Sequence, residues 1–207
     1  MRGFICTIHS EILSDTNSRQ FDEIHHYQDL IRLFDHNFAA VENTRLVKGS
    51  DEPLYLPACS KTNYHQIIFA HGYFASALHE IAHWCIAGKE RRLLQDYGYW
   101  YCPDGRNQQQ QTEFEQVEVS PQAIEWAFSI AANRRFRVST DNLNGAQIDV
   151  VSFQDKVQQQ ALAYLQQGFP ARSKRFIQVL HDFYQTEALQ AEKFTWLEPL
   201  RCGDMYE

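Results

Sequence analysis

The sequence lacks the features of a disulfide-bonded or membrane-bound protein. Its five cysteines are odd in number, widely spaced and without a Cys-x-x-Cys pair, which favours free thiols in the reducing cytoplasm. No apolar run approaches the roughly 18 residues that a transmembrane helix requires, so no membrane partner is expected. The chain starts with one arginine and a short apolar run that ends at His9, which is a poor match to a signal peptide.

Positive charge is also scarce. The 19 Lys and Arg residues are outnumbered by 26 Asp and Glu residues, for a net charge of -7. A basic surface for nucleic acid is therefore not expected, and a cationic partner is compatible with this charge. Apolar residues make up 44% of the 207 residues, which is enough for one good hydrophobic core or for a core with a small satellite.

The pattern of apolar residues predicts an α/β fold with a small mixed sheet packed against helices. Helical spacing predicts a helix near residues 24–39, and residues 1–22 before it are polar and turn-rich, as expected of an N-terminal extension without fixed structure. Residues 44–48 and 66–70 read as strands, and residues 54–56 as a short piece at a sheet edge.

The second half of the sequence predicts mainly helices. Ser120 and Pro121 are a good N-cap and first residue for a helix to Ala132, which leaves the segment before them extended. Amphipathic helices are predicted over residues 153–167 and 172–184. The imidazoles of His25 and His181 are expected at the surface.

A His-Glu-x-x-His sequence at His79, Glu80 and His83 is the strongest chemical signal in the chain. It falls in a predicted helix over residues 75–88, with Gly88 as its stop. Residues four apart share a helix face, so the two imidazoles can grip one metal ion, and Glu80 points about 100° away from His79. The helix is apolar almost all round, which indicates that it is buried. Buried histidines need a polar partner, and a metal ion would be that partner.

Two histidines leave room for a third protein ligand, and a carboxylate is the usual choice. Glu118 is the predicted ligand because it lies between two valines, an apolar setting in which a carboxylate needs a cation. Glu115 and then Glu125 are the alternatives, whereas Glu113 is expected in solvent.

These residue types leave the metal and the reaction open. His-Glu-x-x-His is typical of zinc peptidases, in which Glu80 would be the general base for a zinc-bound water. Two histidines and one carboxylate suit Fe(II) and dioxygen equally well. A metal-stabilised binding module without turnover is a third possibility.

Longer phrases of the sequence resemble the bacterial elongation factor P hydroxylase family. The resemblance runs from about residue 25 to residue 199 and is carried by Arg45-Leu46-Val47-Lys48-Gly49, Pro53-Leu54-Tyr55-Leu56-Pro57-Ala58, Phe69-Ala70-His71-Gly72, residues 75–80, residues 83–88, residues 98–106 and Val117-Glu118-Val119. It implies one catalytic domain over residues 23–199 and a tail over residues 200–207.

The resemblance also implies an activity and a site. Members of the family are non-haem iron enzymes that use O2 to hydroxylate the β-lysyl-lysine side chain of elongation factor P. Their implied fold is α/β, with a metal site similar to that of a bacterial metal-dependent endoribonuclease family. The implied Fe(II) ligands map to His79, His83 and Glu118. With iron at this site, chemical reasoning makes Glu80 a catalytic residue outside the ligand set, which holds a ligand histidine or relays protons. The zinc peptidase, or another metal-dependent hydrolase, is the alternative.

Overall fold

A computed structural model describes residues 25–98, 105–140 and 149–196 of the chain. Contacts divide the chain into two compact units, Met1–Gly98 and Tyr99–Glu207. The described part contains helices α1 (Tyr27–Glu42), α2 (Phe74–Ile86), α3 (Gln108–Ala131), α4 (Val150–Gln167) and α5 (Ala171–Tyr184), and strands β1 (Thr44–Lys48), β2 (Leu54–Leu56) and β3 (His65–Phe69). The expected mixed α/β fold is confirmed. The predicted extension and tail lie outside the described residues, as do residues 99–104 of the segment 98–106 that carries part of the resemblance.

The three strands form one small mixed sheet in the order β1-β3-β2. β1 runs parallel to β3, with Leu46 opposite Ile67, and β2 runs antiparallel to β3, with Tyr55 opposite the same Ile67. All three of these side chains are buried. The predicted strands are therefore confirmed to within one residue, and the short strand does lie at an edge of the sheet.

A tight turn sends the chain from β3 into α2. His71 has a φ of 51° and Gly72 a φ of 84°, and a Cβ on Gly72 would lie 3.1 Å from the ring of Tyr27. Glycine is therefore required at this position, both for its left-handed backbone and for lack of space. The Ser76 hydroxyl of α2 accepts a hydrogen bond from the Ala70 N–H at 3.0 Å, so the start of α2 is tied to the end of the strand.

Aromatic packing holds α2 in the core of the first unit. Trp84 is fully buried, and its ring lies edge-on to Phe34 and Phe38 of α1, with centroids 5.0 Å away in each case. Such pairs add to the stabilisation that burial already provides. The helix ends at Ile86, where Ala87 turns to an extended backbone. The predicted stop at Gly88 lies two residues beyond this end, because Ala87 already leaves the helical backbone.

In the second unit, α3 is one continuous helix of 24 residues. It starts at Asn107, whose side chain forms a reciprocal capping box with Gln110, a strong helix start. The prediction of an extended segment and a helix start at Ser120 is therefore wrong. Pro121 lies inside the helix, where it has no N–H to donate to the Val117 carbonyl, and tertiary packing of this buried segment outweighs that loss.

Helices α4 and α5 pack against α3 within the second unit. The rings of Phe128 and Phe176 meet edge-on with centroids 5.2 Å apart, and Phe153, Val157 and Leu180 are fully buried. Gly168, with a φ of 102°, ends α4 as the sequence indicates. No helix in residues 25–98, 105–140 or 149–196 is both long and apolar enough to cross a membrane.

Two histidines that were expected at the surface are buried. His25 lies against the edge of the Phe74 ring, with centroids 5.1 Å apart. His181 approaches the Thr186 hydroxyl through Nδ1 at 2.6 Å, and that hydroxyl donates its hydrogen to the Ala131 carbonyl. Nδ1 must therefore carry the imidazole proton. The surface expectation failed because it considered the helix alone, whereas Thr186 returns after α5 to cover this histidine.

The protonated form of His181 is disfavoured in the folded chain. Burial, and secondarily the charge of Lys193, lower its pKa, with Asp182 opposing them. Within the described residues its Nε2 is buried and has no hydrogen-bond partner, so a second proton would have no acceptor.

We expect this histidine to make stability depend on pH. In the unfolded chain a histidine titrates near pH 6.5. On acidification the unfolded state therefore takes up the proton before the folded state does, and the free energy of unfolding decreases. Lowering the pH from about 7.5 to about 5.5 should therefore lower the thermal unfolding midpoint. His181→Asn keeps a donor for Thr186 but does not titrate, and its midpoint should fall less. Equal falls in the two proteins would contradict this assignment.

Candidate metal centre

The two histidines of the His-Glu-x-x-His sequence lie side by side on α2. Their rings are 4.7 Å apart between centroids, and the Nε2 atoms of His79 and His83 are 3.0 Å apart. Both side chains are half-buried. Residues four apart lie on one face of a helix. The two rings are therefore on the same side of α2, as expected.

Glu118 and these two histidines form a group of side chains that could hold a metal ion. Each of His79, His83 and Glu118 offers a ligand atom, and the three atoms lie within 4.8 Å of one another. Glu118 is 2% exposed and comes from the middle of α3. It was predicted on the assumption of an extended backbone. The residue choice agrees with this geometry although the assumed local structure does not.

The other carboxylates that the sequence offered are placed differently. Glu113 is exposed and accepts a hydrogen bond from Gln109. Glu115 forms an ion pair with Lys156 at 3.4 Å. Glu125 is buried, but among the described residues the group that could hold a metal contains neither it nor Glu115. The geometry therefore favours Glu118 over both alternatives.

The donor set fits a divalent metal ion. Two nitrogens that each lie about 2.1 Å from an ion at a right angle are about 3.0 Å apart, which is the separation of the two Nε2 atoms. Two imidazoles and one carboxylate leave several positions of an octahedral ion open.

A hydrogen-bond network fixes the Glu118 carboxylate from within the second unit. Gln122, one turn later on α3, approaches Glu118 Oε2 through Nε2 at 3.3 Å. Its amide also donates to the Ser139 carbonyl at 2.7 Å and accepts from the Ser139 N–H at 3.1 Å. A glutamine four residues after a glutamate is a recognisable helical pair. It was missed because this segment was not read as one helix.

The first unit contains a buried tyrosine, Tyr97, whose pKa responds to the charge of Glu80. Tyr97 is 5% exposed and stacks on Tyr55 with ring centroids 4.3 Å apart. Burial raises the pKa of its phenol well above the usual value, and the negative charge of Glu80 is the second cause. Asp96, Tyr97 and Gly98 are all left-handed, with φ of 46°, 58° and 71°. Sequence reasoning did not single out Tyr97, and no sequence signal predicts this backbone.

These features define a class of protein before any comparison is made. A buried helix presents two histidines one turn apart, and a buried glutamate lies within reach of both. An acidic side chain that is not part of this set, Glu80, follows the first histidine. On a mixed α/β scaffold this is a candidate metalloenzyme centre of the two-histidine, one-carboxylate type.

Comparison with known proteins agrees with this class and identifies a family within it. A family model described as Elongation factor P hydroxylase matches residues 33–194. A relative from Haemophilus influenzae, named Elongation factor P lysine hydroxylase, is 50% identical over 163 residues, which cover 79% of this chain and 92% of the relative. The chain belongs to the elongation factor P hydroxylase family, as the resemblance in its sequence indicated.

The ligand assignment can be tested by metal retention. After anaerobic loading with Fe(II) and removal of excess, the wild-type chain should hold about one ion, and His79→Ala, His83→Ala and Glu118→Ala should hold close to none. Metal content is measured by mass spectrometry and the fold by circular dichroism. His36→Ala and Glu113→Ala, at exposed positions, are the matched controls. One ion per chain in the double histidine variant would refute the site.

Proposed function

We propose that this chain hydroxylates the β-lysyl-lysine side chain of elongation factor P in a reaction that depends on Fe(II) and O2. Membership of the family supports a hydroxylase, and the printed name of the Haemophilus relative supports elongation factor P as substrate and lysine as the residue. The single observation that carries the metal part of the proposal is the group formed by His79, His83 and Glu118. Because elongation factor P acts in translation, the proposal places the chain in the cytoplasm.

In this proposal two imidazoles and one carboxylate hold the metal ion. His79 and His83 would hold Fe(II) through imidazole nitrogens, and Glu118 would add one negative charge, so the site would keep a net positive charge. Bound Fe(II) supplies the reactivity towards O2 that insertion of oxygen into a C–H bond requires. Besides O2, hydroxylation consumes two electrons and two protons and releases one water, so a reductant must take part.

Glu80 is proposed to act beside the metal rather than on it. It follows His79 on α2 and is turned about 100° away from it, and it does not belong to the metal group of the described residues. A carboxylate in this place can orient a ligand imidazole or carry a proton between solvent and the site. Its negative charge also helps to raise the pKa of the buried Tyr97 phenol.

Charge gives the proposal modest further support. A β-lysylated lysine carries two amino groups and is cationic, and the chain has a net charge of -7. Electrostatic attraction between the negative chain and the cationic side chain accelerates their encounter at low ionic strength. At physiological salt this attraction is screened beyond about 8 Å. It therefore assists approach of the substrate and does not decide which side chain is modified.

The proposal is tested by the intact mass of elongation factor P. β-Lysylated elongation factor P should gain the mass of one oxygen atom after incubation with the chain, Fe(II), a reductant and air. The gain should be absent under nitrogen and should carry the label when ¹⁸O₂ is supplied. Unmodified elongation factor P is the matched control. Peptide cleavage without O2 would instead support the zinc peptidase that His-Glu-x-x-His also permits.

The role of Glu80 predicts a separation of metal binding from turnover. Glu80→Gln keeps the size of the side chain but removes its charge and its ability to take up a proton. We expect metal content to stay near that of the wild type while the hydroxylation rate falls by about 10²-fold or more. Glu90→Gln, at an exposed position after α2, should change neither. Metal loss as large as in the histidine variants would make Glu80 a ligand and contradict its proposed role.

A further inference from the structure

The amide of Gln122 has a single orientation, and the structure fixes it. The Ser139 N–H can only donate, so the atom it meets at 3.1 Å must be the amide oxygen, Oε1. Nε2 is then the atom that faces the Ser139 carbonyl at 2.7 Å and Glu118 at 3.3 Å. The opposite orientation would place the amide NH2 group against the Ser139 N–H. It would also place the amide oxygen against the Ser139 carbonyl and the Glu118 carboxylate. The backbone of Ser139 therefore selects a donor for Glu118.

Both hydrogens of this amide are used. One Nε2 hydrogen goes to the Ser139 carbonyl and the other to Glu118 Oε2, while Oε1 accepts from the Ser139 N–H. Gln122 is 1% exposed, so water does not compete for these bonds. A buried amide with all of these groups paired is held in one rotamer. It has no freedom to follow a carboxylate that turns away.

We propose that Gln122 is a positioning residue, which holds the Glu118 carboxylate with Oε2 engaged so that the other oxygen is presented to the metal ion. This inference rests on the proposed ligand set and adds a residue that acts only through Glu118. Partners that orient a ligand in this way set metal affinity, and their loss weakens it by roughly 10–100-fold. Ser139, through its backbone alone, is the anchor of the arrangement.

Affinity for Co²⁺ alone is the direct test, because it requires neither substrate nor turnover. Gln122→Met keeps the length of the side chain and removes every hydrogen bond of the amide. We expect its Co²⁺ dissociation constant to rise by about 10–100-fold. Gln116→Met makes the same change at an exposed position of α3 and should bind Co²⁺ as the wild type does. An unchanged dissociation constant in a folded Gln122→Met chain would overturn the proposal.

A double variant separates positioning from general loss of structure. In a Glu118→Gln background, Gln122→Met should change the Co²⁺ dissociation constant by less than about twofold, because the residue through which it acts is already altered. A further loss as large as in the wild-type background would mean that Gln122 acts through the fold and would overturn the proposal. Gln122→Ala gives the same comparison if methionine does not fit.

The outcome also distinguishes this inference from the proposed function. If Glu118→Gln alone binds Co²⁺ as tightly as the wild type, Glu118 is not a ligand and the ligand set fails. If Glu118→Gln binds weakly but Gln122→Met binds normally, only the positioning role fails. The absorption spectrum of bound Co²⁺ should differ between wild type and Gln122→Met, because the carboxylate loses the donor that orients it, and identical spectra would count against the role.

Discussion

The burial of one carboxylate is the constraint on which this site depends. Glu118 is 2% exposed, and an ionised carboxylate in such a place is destabilising unless donors or a cation surround it. Gln122 supplies one donor, and in the proposed function a metal ion supplies the positive charge. Glu118 and Gln122 can contact each other only because α3 continues through Pro121 as a helix, which places the two residues one turn apart.

The histidines depend on a different constraint, which lies in the first unit. The tight turn at His71 and Gly72 and the hydrogen bond to Ser76 set where α2 begins. The packing of Trp84 against two phenylalanines then leaves little freedom for the helix to rotate. The consequence is that His79 and His83 keep their nitrogens 3.0 Å apart, a separation suited to two neighbouring ligands of one ion.

Local signals in the sequence predicted the elements whose neighbours lie close in the chain. The strand at residues 44–48 and the edge strand at residues 54–56 follow from β-forming residues between turn residues, and both are observed. Ser120-Pro121 misled for the opposite reason, because a local start signal was outweighed by the capping box at Asn107 and by burial of the segment. The surface expectation for His181 failed because Thr186 covers it from outside the helix.

The same distinction applies to the site. His79, Glu80 and His83 stand in one turn of helix, so spacing alone predicted them as candidates. Glu118 required a chemical argument, and its role as a ligand remains a prediction. The contact between the Gln122 amide and Ser139 could not be recognised from the sequence, because Ser139 is 17 residues away and contributes only backbone atoms to it. Nothing local marks such a contact.

The account is tested most directly by locating the metal itself. Crystals grown anaerobically with Fe(II) should show, at the iron absorption edge, one anomalous peak about 2.0–2.2 Å from Nε2 of His79, Nε2 of His83 and one carboxylate oxygen of Glu118. A peak on Glu115 or Glu125, or a fully loaded protein with no peak beside the two histidines, would contradict it.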